Sequence, residues 1–497
     1  MYHVGTRDGR NRIPPITSTL ILRSATDLAR MIVYGETRSE TVLNAFIERI
    51  REVDKLIKAV ADEGFSAALE RARTLDRELE SYNGDREALL EAKPFYGVPF
   101  SVKESVAVDG LCSCIGLVDR KGETYHGSAD VVEAMEASGA IVLCSSTIPE
   151  ASMWVETSSI PHGRTNNPYD LHRTCGGSSG GEGALLGSAC SVIGIGTDLS
   201  GSIRTPAAWC GIFGHKPTQG CVSLQGTHPV LPGPIKDFPS PGPMTRSADD
   251  LLPMLKVLSR NDARLGLDKK VDVCDLNVFY VSSLSSDFRK SSAVQIALNE
   301  LLNTGCKPRA FECGAFKNSF DWCFARFVDI GTVPLDEAFQ TGGVNVFLQL
   351  AGKILGLSKF TVYAPLVSAL EKHYRSHSRA KHKEDLRELD AFGKQVEGLL
   401  GRDGVLVLPA QWTSAPFHHG TYLSPKRYFS YPAIWNILNL PATVCPVGLT
   451  QDGLPEAVML VAGRFQDRLC LAVARYLESS LGGWRPPCDI LPGSQSE

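Results

Sequence analysis

The segment Cys175 to Ala207, CGGSSGGEGALLGSACSVIGIGTDLSGSIRTPA, constrains this chain more than any other. Glycine reaches backbone conformations closed to other residues but loses more freedom on folding, so a dense cluster of it is costly. Two Gly/Ser loops occur here. The first leads into a predicted helix, Glu182 to Ser188. The second follows a predicted strand, Ser191 to Thr197, and precedes Pro206, a residue favoured in the first turn of a helix. Both loops therefore end where secondary structure aims backbone N–H groups, and both present hydroxyls. That pattern predicts a small polar cavity that suits an anion.

The flanking sequence sets these loops in an α/β frame. Thr37-x-x-Glu40 reads as a helix-capping box. Leu43, Phe46, Ile47, Ile50 and Val53 follow at helical spacing, and Phe65, Leu69, Ala72, Leu75 and Leu79 form a second stripe. Asn83-Gly84 signals a turn. Val98, Phe100 and Val102 alternate, which predicts a strand carrying Lys103 at its end. A helix from about Ser128 should stop at Gly139. Further strands are expected at Ile141–Leu143, Val278–Val281, Val405–Leu408, Thr443–Cys445 and Ala457–Val461, and a last helix near Asp467 to Leu477. Strands alternating with helices imply one large sheet. Residues 1–19 read as a loose arm broken at Pro14-Pro15. No linker divides residues 20–490, which reads as a single domain.

Composition excludes several classes. A chain of 497 residues, 43% hydrophobic and 21% charged, has ample core. Its net charge of −4 and lack of a basic run exclude a general nucleic-acid partner. No run of about 18 apolar residues predicts a spanning helix. The first thirteen residues are polar with three Arg, unlike a cleavable signal peptide. An intracellular protein, cytoplasmic or peripherally attached to membrane, is expected, with reduced and mostly buried thiols. Cys112 and Cys114 form the one tight pair, and a zinc site there needs further ligands that the sequence does not place.

GGSSG at Gly176–Gly180 also fits G-x-S-x-G. That reading demands a downstream acid and then a His. His215, His373, His418 and His419 are available, none in a recognisable context. A phosphate loop lacks its Gly-Lys-Ser/Thr.

GVPFSVKE at Gly97–Glu104, the GGSSGGEGALL loop and the GTDLSGSIRTPA loop resemble, in order and spacing, the three motifs of the amidase-signature family. The signature covers about residues 95–220. A broader similarity to fatty-acid amide hydrolases, nearest the type-two enzymes, is carried by GRTNNPYDL at Gly163–Leu171, GIFGHKPTQG at Gly211–Gly220 and VAGRFQDRLCLAVARYLE ending at Glu478. The resemblance implies a twisted mixed sheet with helices on both faces and a serine hydrolase of carboxylic amides, acting through an acyl-enzyme without a metal or organic cofactor. It makes Lys103 the base, Ser178 the bridging serine and Ser202 the nucleophile. The backbone of Leu199, Ser200, Gly201 and Ser202 would form the oxyanion hole, with Ser179, Thr197, Asp198 and Arg204 holding the loops in shape. The family usually has Gly or Ala at the place of Ser200; if φ must be positive there, Ser costs about 1–2 kcal/mol.

The same likeness puts Met153 and Trp154 against the acyl chain of a lipophilic amide. It sets residues 347–376 at a membrane-binding cap, in which Leu348, Leu355, Leu357 and Phe360 face one side of a hairpin broken near Gly356 and restarted at Pro365. Peripheral membrane contact and a homodimer are arrangements it allows. Two other functions share the motifs: a glutaminase like the amidotransferase A subunit, working with a partner subunit, and a non-catalytic binding protein on the same fold.

Overall fold

Side chains along the central strands alternate between two separate cores. On Gly404–Pro409, Val405 and Val407 pack into one, Leu406 and Leu408 into the other. On Pro455–Ala462, Val458, Leu460 and Ala462 oppose Met459 and Val461 in the same way. Successive strand residues point to opposite faces, so both faces of this sheet are covered. The first face receives Ser39–Ile57, Phe65–Glu80, Leu251–Leu258, Ser292–Asn303 and Asp467–Leu481. The second receives Arg204–Trp209, Ser319–Asp329, Arg379–Leu400 and Pro425–Ile437. The expected α/β layering is observed. The computed structural model describes residues 12–230, 233–283, 291–312, 316, 318–331, 349, 351–353 and 355–491.

The sheet has 11 strands, in the order Val60–Glu63, Ile141–Ser146, Pro99–Lys103, Ile193–Asp198, Ser240–Thr245, Phe213–Lys216, Ala442–Leu449, Pro455–Ala462, Gly404–Pro409, Asn277–Tyr280, Arg309–Ala310. Pro99–Lys103 runs parallel between Ile141–Ser146 and Ile193–Asp198. A strand so placed is buried on both faces, and every residue of Pro99–Lys103 is buried. Its C-terminal edge, beside that of Ile193–Asp198, is where open α/β sheets bind ligands.

Several local expectations need correction. The helix Ser39–Ile57 has Arg38 at its N-cap, with no side-chain cap of its own. The buried Asp76 carboxylate, from the neighbouring helix, accepts instead from the Ser39 and Glu40 amides. Past Asn83-Gly84 a short further helix, Arg86–Ala92, forms with Asp85 as its cap. The N-terminal arm is not loose where it is described. Ile13 and Ile16 are buried, Ile16 bridges Ile490, and Arg49 donates to the carbonyls of Pro14 and Pro15; residues 1–11 lie outside the described residues. The strand Ser240–Thr245, SPGPMT, escaped the sequence pattern because two of its residues are proline. It pairs along Ile193–Asp198, while Phe213–Lys216 meets only Met244 and Thr245. Each described cysteine is free, and most are buried.

Of the apolar segment near the expected hairpin, the described residues include a turn at Gly356 (φ 70°), and Pro365 stands in the first turn of Tyr363–Arg375. The segment's sidedness differs. Leu355 and Leu357 are 71% and 76% exposed, but Phe360 is buried against Ile115, Leu117, Ile148 and Ile235. Phe347 and Leu348 lie outside the described residues. Among the described residues, no helix is long and apolar enough to cross a membrane.

Candidate active site

The buried strand Pro99–Lys103 delivers Lys103 to its C-terminal end with no exposed surface. Its Nζ donates to Ser178 Oγ at 2.7 Å and to Thr197 Oγ1 at 2.8 Å, with Thr197 O at 3.4 Å. Burial pushes the amine down to about 7, although the charges of Asp198 and Glu182 pull it back upward. Desolvation disfavours the ammonium form, which explains the direction. Glu182 lies in the helix Gly180–Gly187, wholly buried, and burial pushes it up to about 7. Ser101 donates to it at 2.6 Å. Its carboxylate occupies the space that a Cβ at Gly194 would need, which accounts for one glycine of the GIG stretch.

Two loops meet over the lysine. Ser178 and Ser179 precede the helix Gly180–Gly187; Leu199 to Ser202 follow the strand Ile193–Asp198. Ser179 N donates to Ser202 O at 3.1 Å, joining the loops. Thr197 N and O both lie within 3.4 Å of Ser179 Oγ. Asp198 then braces the second loop from beneath. It accepts from Gly201 N at 2.6 Å and Ile203 N at 3.1 Å, and from Arg204 Nε and Nη2, each at 2.9 Å. Burial alone would raise this carboxyl, but the Arg204 guanidinium holds it well below the usual range. Asn436 Nδ2 donates to Asp198 O at 3.0 Å, and Arg204 Nη1 to Pro432 O at 2.8 Å.

The anticipated strain at Ser200 is absent, because the positive φ falls one residue later, on Gly201 (φ 117°). A Cβ at Gly201 would also collide with the Pro432 ring. Of the four amides named from sequence, that of Gly201 is taken by Asp198. Those of Leu199, Ser200 and Ser202 have no protein acceptor among the described residues.

Ser178 and Ser202 line one cavity together with Thr197, Leu199, Ser200 and Gly201. Ser178 is 1% exposed and Ser202 is half-buried. Away from these hydroxyls the walls are mostly apolar, with Ser152, Thr227 and His228 among the polar exceptions. Met153 and Trp154 are among the lining residues. Trp154 stacks on Tyr363 at 5.5 Å and donates to Thr421 Oγ1. Sequence reasoning missed Phe320, Phe324 and Phe327, which line the cavity from Ser319–Asp329. Their i, i+4, i+7 spacing was a usable signal of one helix face. Asn436 carried no signal, since nothing local marks a side chain that serves a loop so distant in sequence. No Lys, Arg, Asp or Glu lines the cavity among the described residues.

The histidines divide differently from the sequence list. His215 is buried between Thr443 and Asp467, His418 lies near Leu171 O, and neither they nor His373 nor His419 line the cavity. His228, not singled out before, does.

A sheet edge bearing two serine loops over a buried, deprotonatable lysine defines the class. The chain belongs to the amidase family of amide-hydrolysing enzymes, whose model, described as Amidase, matches residues 41–471. It is 39% identical to fatty-acid amide hydrolase 2-A of Danio rerio, over 97% of this chain and 93% of that protein. It is 37% identical to fatty-acid amide hydrolase 2 of Homo sapiens, over 95% and 92%. A solved structure described as fatty acid amide hydrolase matches with a TM-score of 0.72 at 22% identity, covering 93% of this chain and 86% of that one.

Proposed function

We propose that this enzyme hydrolyses long-chain fatty-acid amides, with Ser202 as nucleophile, Ser178 as proton relay and Lys103 as base. The carrying observation is the placement of a solvent-free Lys103 Nζ 2.7 Å from Ser178 Oγ, at the polar end of a cavity whose other walls are mostly aromatic and aliphatic.

A serine hydroxyl needs a base, and lysine serves only when neutral. Burial pushes Lys103 down to about 7, which brings its neutral form within reach at neutral pH. It takes the Ser178 proton as Ser178 takes that of Ser202, and Ser202 Oγ attacks the amide carbon. The open amides of Leu199, Ser200 and Ser202 then receive the oxyanion, a stabilisation of about 2.7–4 kcal/mol per donor in a measured hydrolase. The Gly201 amide, held by Asp198, fixes the loop. The proton returns through Ser178 to the leaving nitrogen, the amine departs, and water repeats the sequence on the acyl-enzyme.

The glutaminase alternative fares worse on charge. Glutamine carries an ammonium and a carboxylate, and burying either without a partner is costly; the described lining offers no counter-charge. A hydrolysis panel of glutamine, short aryl amides, and long-chain primary amides and ethanolamides tests the reading. Highest kcat/KM on the long-chain members is expected; a preference for glutamine would overturn it. Fluorophosphonate labelling at Ser202 separates an active site from an inert fold. Membrane contact follows the same chemistry. Leu355 and Leu357 form an exposed apolar tip suited to an interface. Making both polar should reduce liposome flotation, and unchanged flotation would exclude the tip.

A further inference from the structure

Behind the strand end that carries Lys103, four donor side chains from three separate loops converge. Glu104 is wholly buried, Cys114 is 1% exposed, and Cys112 and His162 are half-buried. Cys114 Sγ lies 3.0 Å from Glu104 Oε1 and 3.2 Å from His162 Nε2. Cys112 Sγ lies 3.6 Å from Glu104 Oε1, and His162 Nε2 lies 3.1 Å from Glu104 Oε2. All four donor atoms fall within 4.8 Å of one another.

We infer that Glu104, Cys112, Cys114 and His162 form a four-coordinate structural site for a divalent, thiolate-binding metal ion, zinc above all. Bonds of about 2.3 Å to sulfur and about 2.0–2.2 Å to nitrogen and oxygen, set tetrahedrally, separate neighbouring donors by roughly 3.3–3.8 Å. Four of the six donor pairs are 3.0–3.6 Å apart, the sulfurs facing Glu104 Oε1 and the imidazole facing Oε2, and the remaining two pairs lie within 4.8 Å, so a small inward shift brings all four to that spacing. Two thiolates with one imidazole and one carboxylate match zinc rather than calcium or magnesium, which take oxygen ligands.

Glu104 supplies an independent argument. Its Oε2 is buried and makes no well-formed hydrogen bond, although an imidazole nitrogen faces it closely. Among the described residues no Lys or Arg pairs with this carboxylate; the neighbouring Lys103 is committed to Ser178 and Thr197. A buried carboxyl oxygen left without a hydrogen bond is costly unless a further partner, such as a metal ion, completes it.

The scaffold is already fixed. The Cys112 amide donates to Asp62 Oδ2 at 2.9 Å, and Tyr125 OH donates to Glu104 O at 3.0 Å. Cys112 bridges Thr124, and His162 sits in the turn between the paired Ser158–Ser159 and Gly163–Arg164. Cys112 and His162, on the accessible side, give the ion its approach. Binding releases both thiol protons to solvent, and the complex keeps one net negative charge. It pins the residue after Lys103 to two outer loops, and it takes no part in the serine chemistry.

Cobalt(II) tests the site in the whole reduced chain after chelator treatment. A thiolate-to-cobalt charge-transfer band in the near ultraviolet with intense tetrahedral d–d absorption is expected, both abolished by one equivalent of zinc. Zinc content after dialysis should be one per chain, and should fall at least tenfold in Cys112→Ser/Cys114→Ser and in His162→Ala. No thiolate band in the unmodified protein would overturn the inference, whether or not the variants fold. So would one zinc per chain retained by the double variant, or a Cys112–Cys114 disulfide that persists under reductant.

Discussion

The floor and the roof of the cavity are built on opposite principles. The floor, from Lys103 through Ser178 to Ser202, is a network of directed bonds: Lys103 to Ser178 and Thr197, Ser179 to Ser202, Asp198 to five donors around it. The roof, from Ser319–Asp329 and Tyr363–Arg375, meets the cavity with Phe320, Phe324, Phe327, Val367 and Leu370, which impose volume but little direction. Bond-making needs positions fixed within fractions of an ångström. Holding an alkyl chain needs only apolar area.

The sharpest way to break this contrast is at the nucleophile. Ser202→Ala should lower kcat/KM by about 10⁴-fold or more, with thermal unfolding unchanged, because a half-buried loop hydroxyl carries little packing. Normal turnover would remove Ser202 from the chemistry. Lys103→Ala should be nearly as damaging. In the unmodified enzyme, kcat/KM should rise as pH increases through about 7 and then level, since the protonated amine cannot accept the Ser178 proton and the neutral one can. A profile falling over that range would assign the base elsewhere.

Arg204→Leu strikes the bracing beneath the floor. It leaves Asp198 buried and uncompensated, at a cost of about 3–5 kcal/mol, readable in chemical denaturation. The roof should respond in another currency. Phe324→Ser should lower kcat/KM for long-chain amides by about 10- to 100-fold while sparing short aryl amides; equal losses on both would mean that the roof also positions the reacting carbonyl. The smallest effect is expected at His228, which shares the cavity wall. His228→Ala should change activity by less than about fivefold, against the 10⁴ expected when an essential base is lost.

The same contrast decides what could be read from sequence. The floor was legible because its parts are short-range: a strand that alternates into Lys103, and two loops whose glycines betray tight geometry. The details that the local pattern left open are also short-range. The positive φ belongs to Gly201 and not to Ser200, and the Gly201 amide is spent on Asp198. Distant supports such as Asn436 were invisible, because a buried amide hundreds of residues away has no periodicity to betray it. The roof was legible only as apolar character. Phe360 shows why that is insufficient, since it is as apolar as Leu355 yet packs inward against Ile115 and Ile148. Composition gives the preference for burial, and only the tertiary neighbours decide which residue obtains it. Cys112 and Cys114 are the intermediate case, visible as a pair while Glu104 and His162 were left for the fold to supply.

The contact between Gly201 and Pro432 carries a consequence for how this sequence can drift. Pro432 interrupts the helix Pro425–Ile437, and a proline there leaves the carbonyl four residues back without its usual donor. Gln411 Nε2 fills that vacancy at Tyr428 O, and Pro432 O in turn receives Arg204. Gly201 cannot acquire even a methyl group while the Pro432 ring is in place, and Pro432 cannot be exchanged for a larger ring while the loop stays where it is. The two positions therefore form a locked pair. Each single substitution at Gly201 passes through a clash before any second change can relieve it, so lineages of this enzyme should keep or lose the pair together, with Gln411 and Arg204 as the residues that register the change.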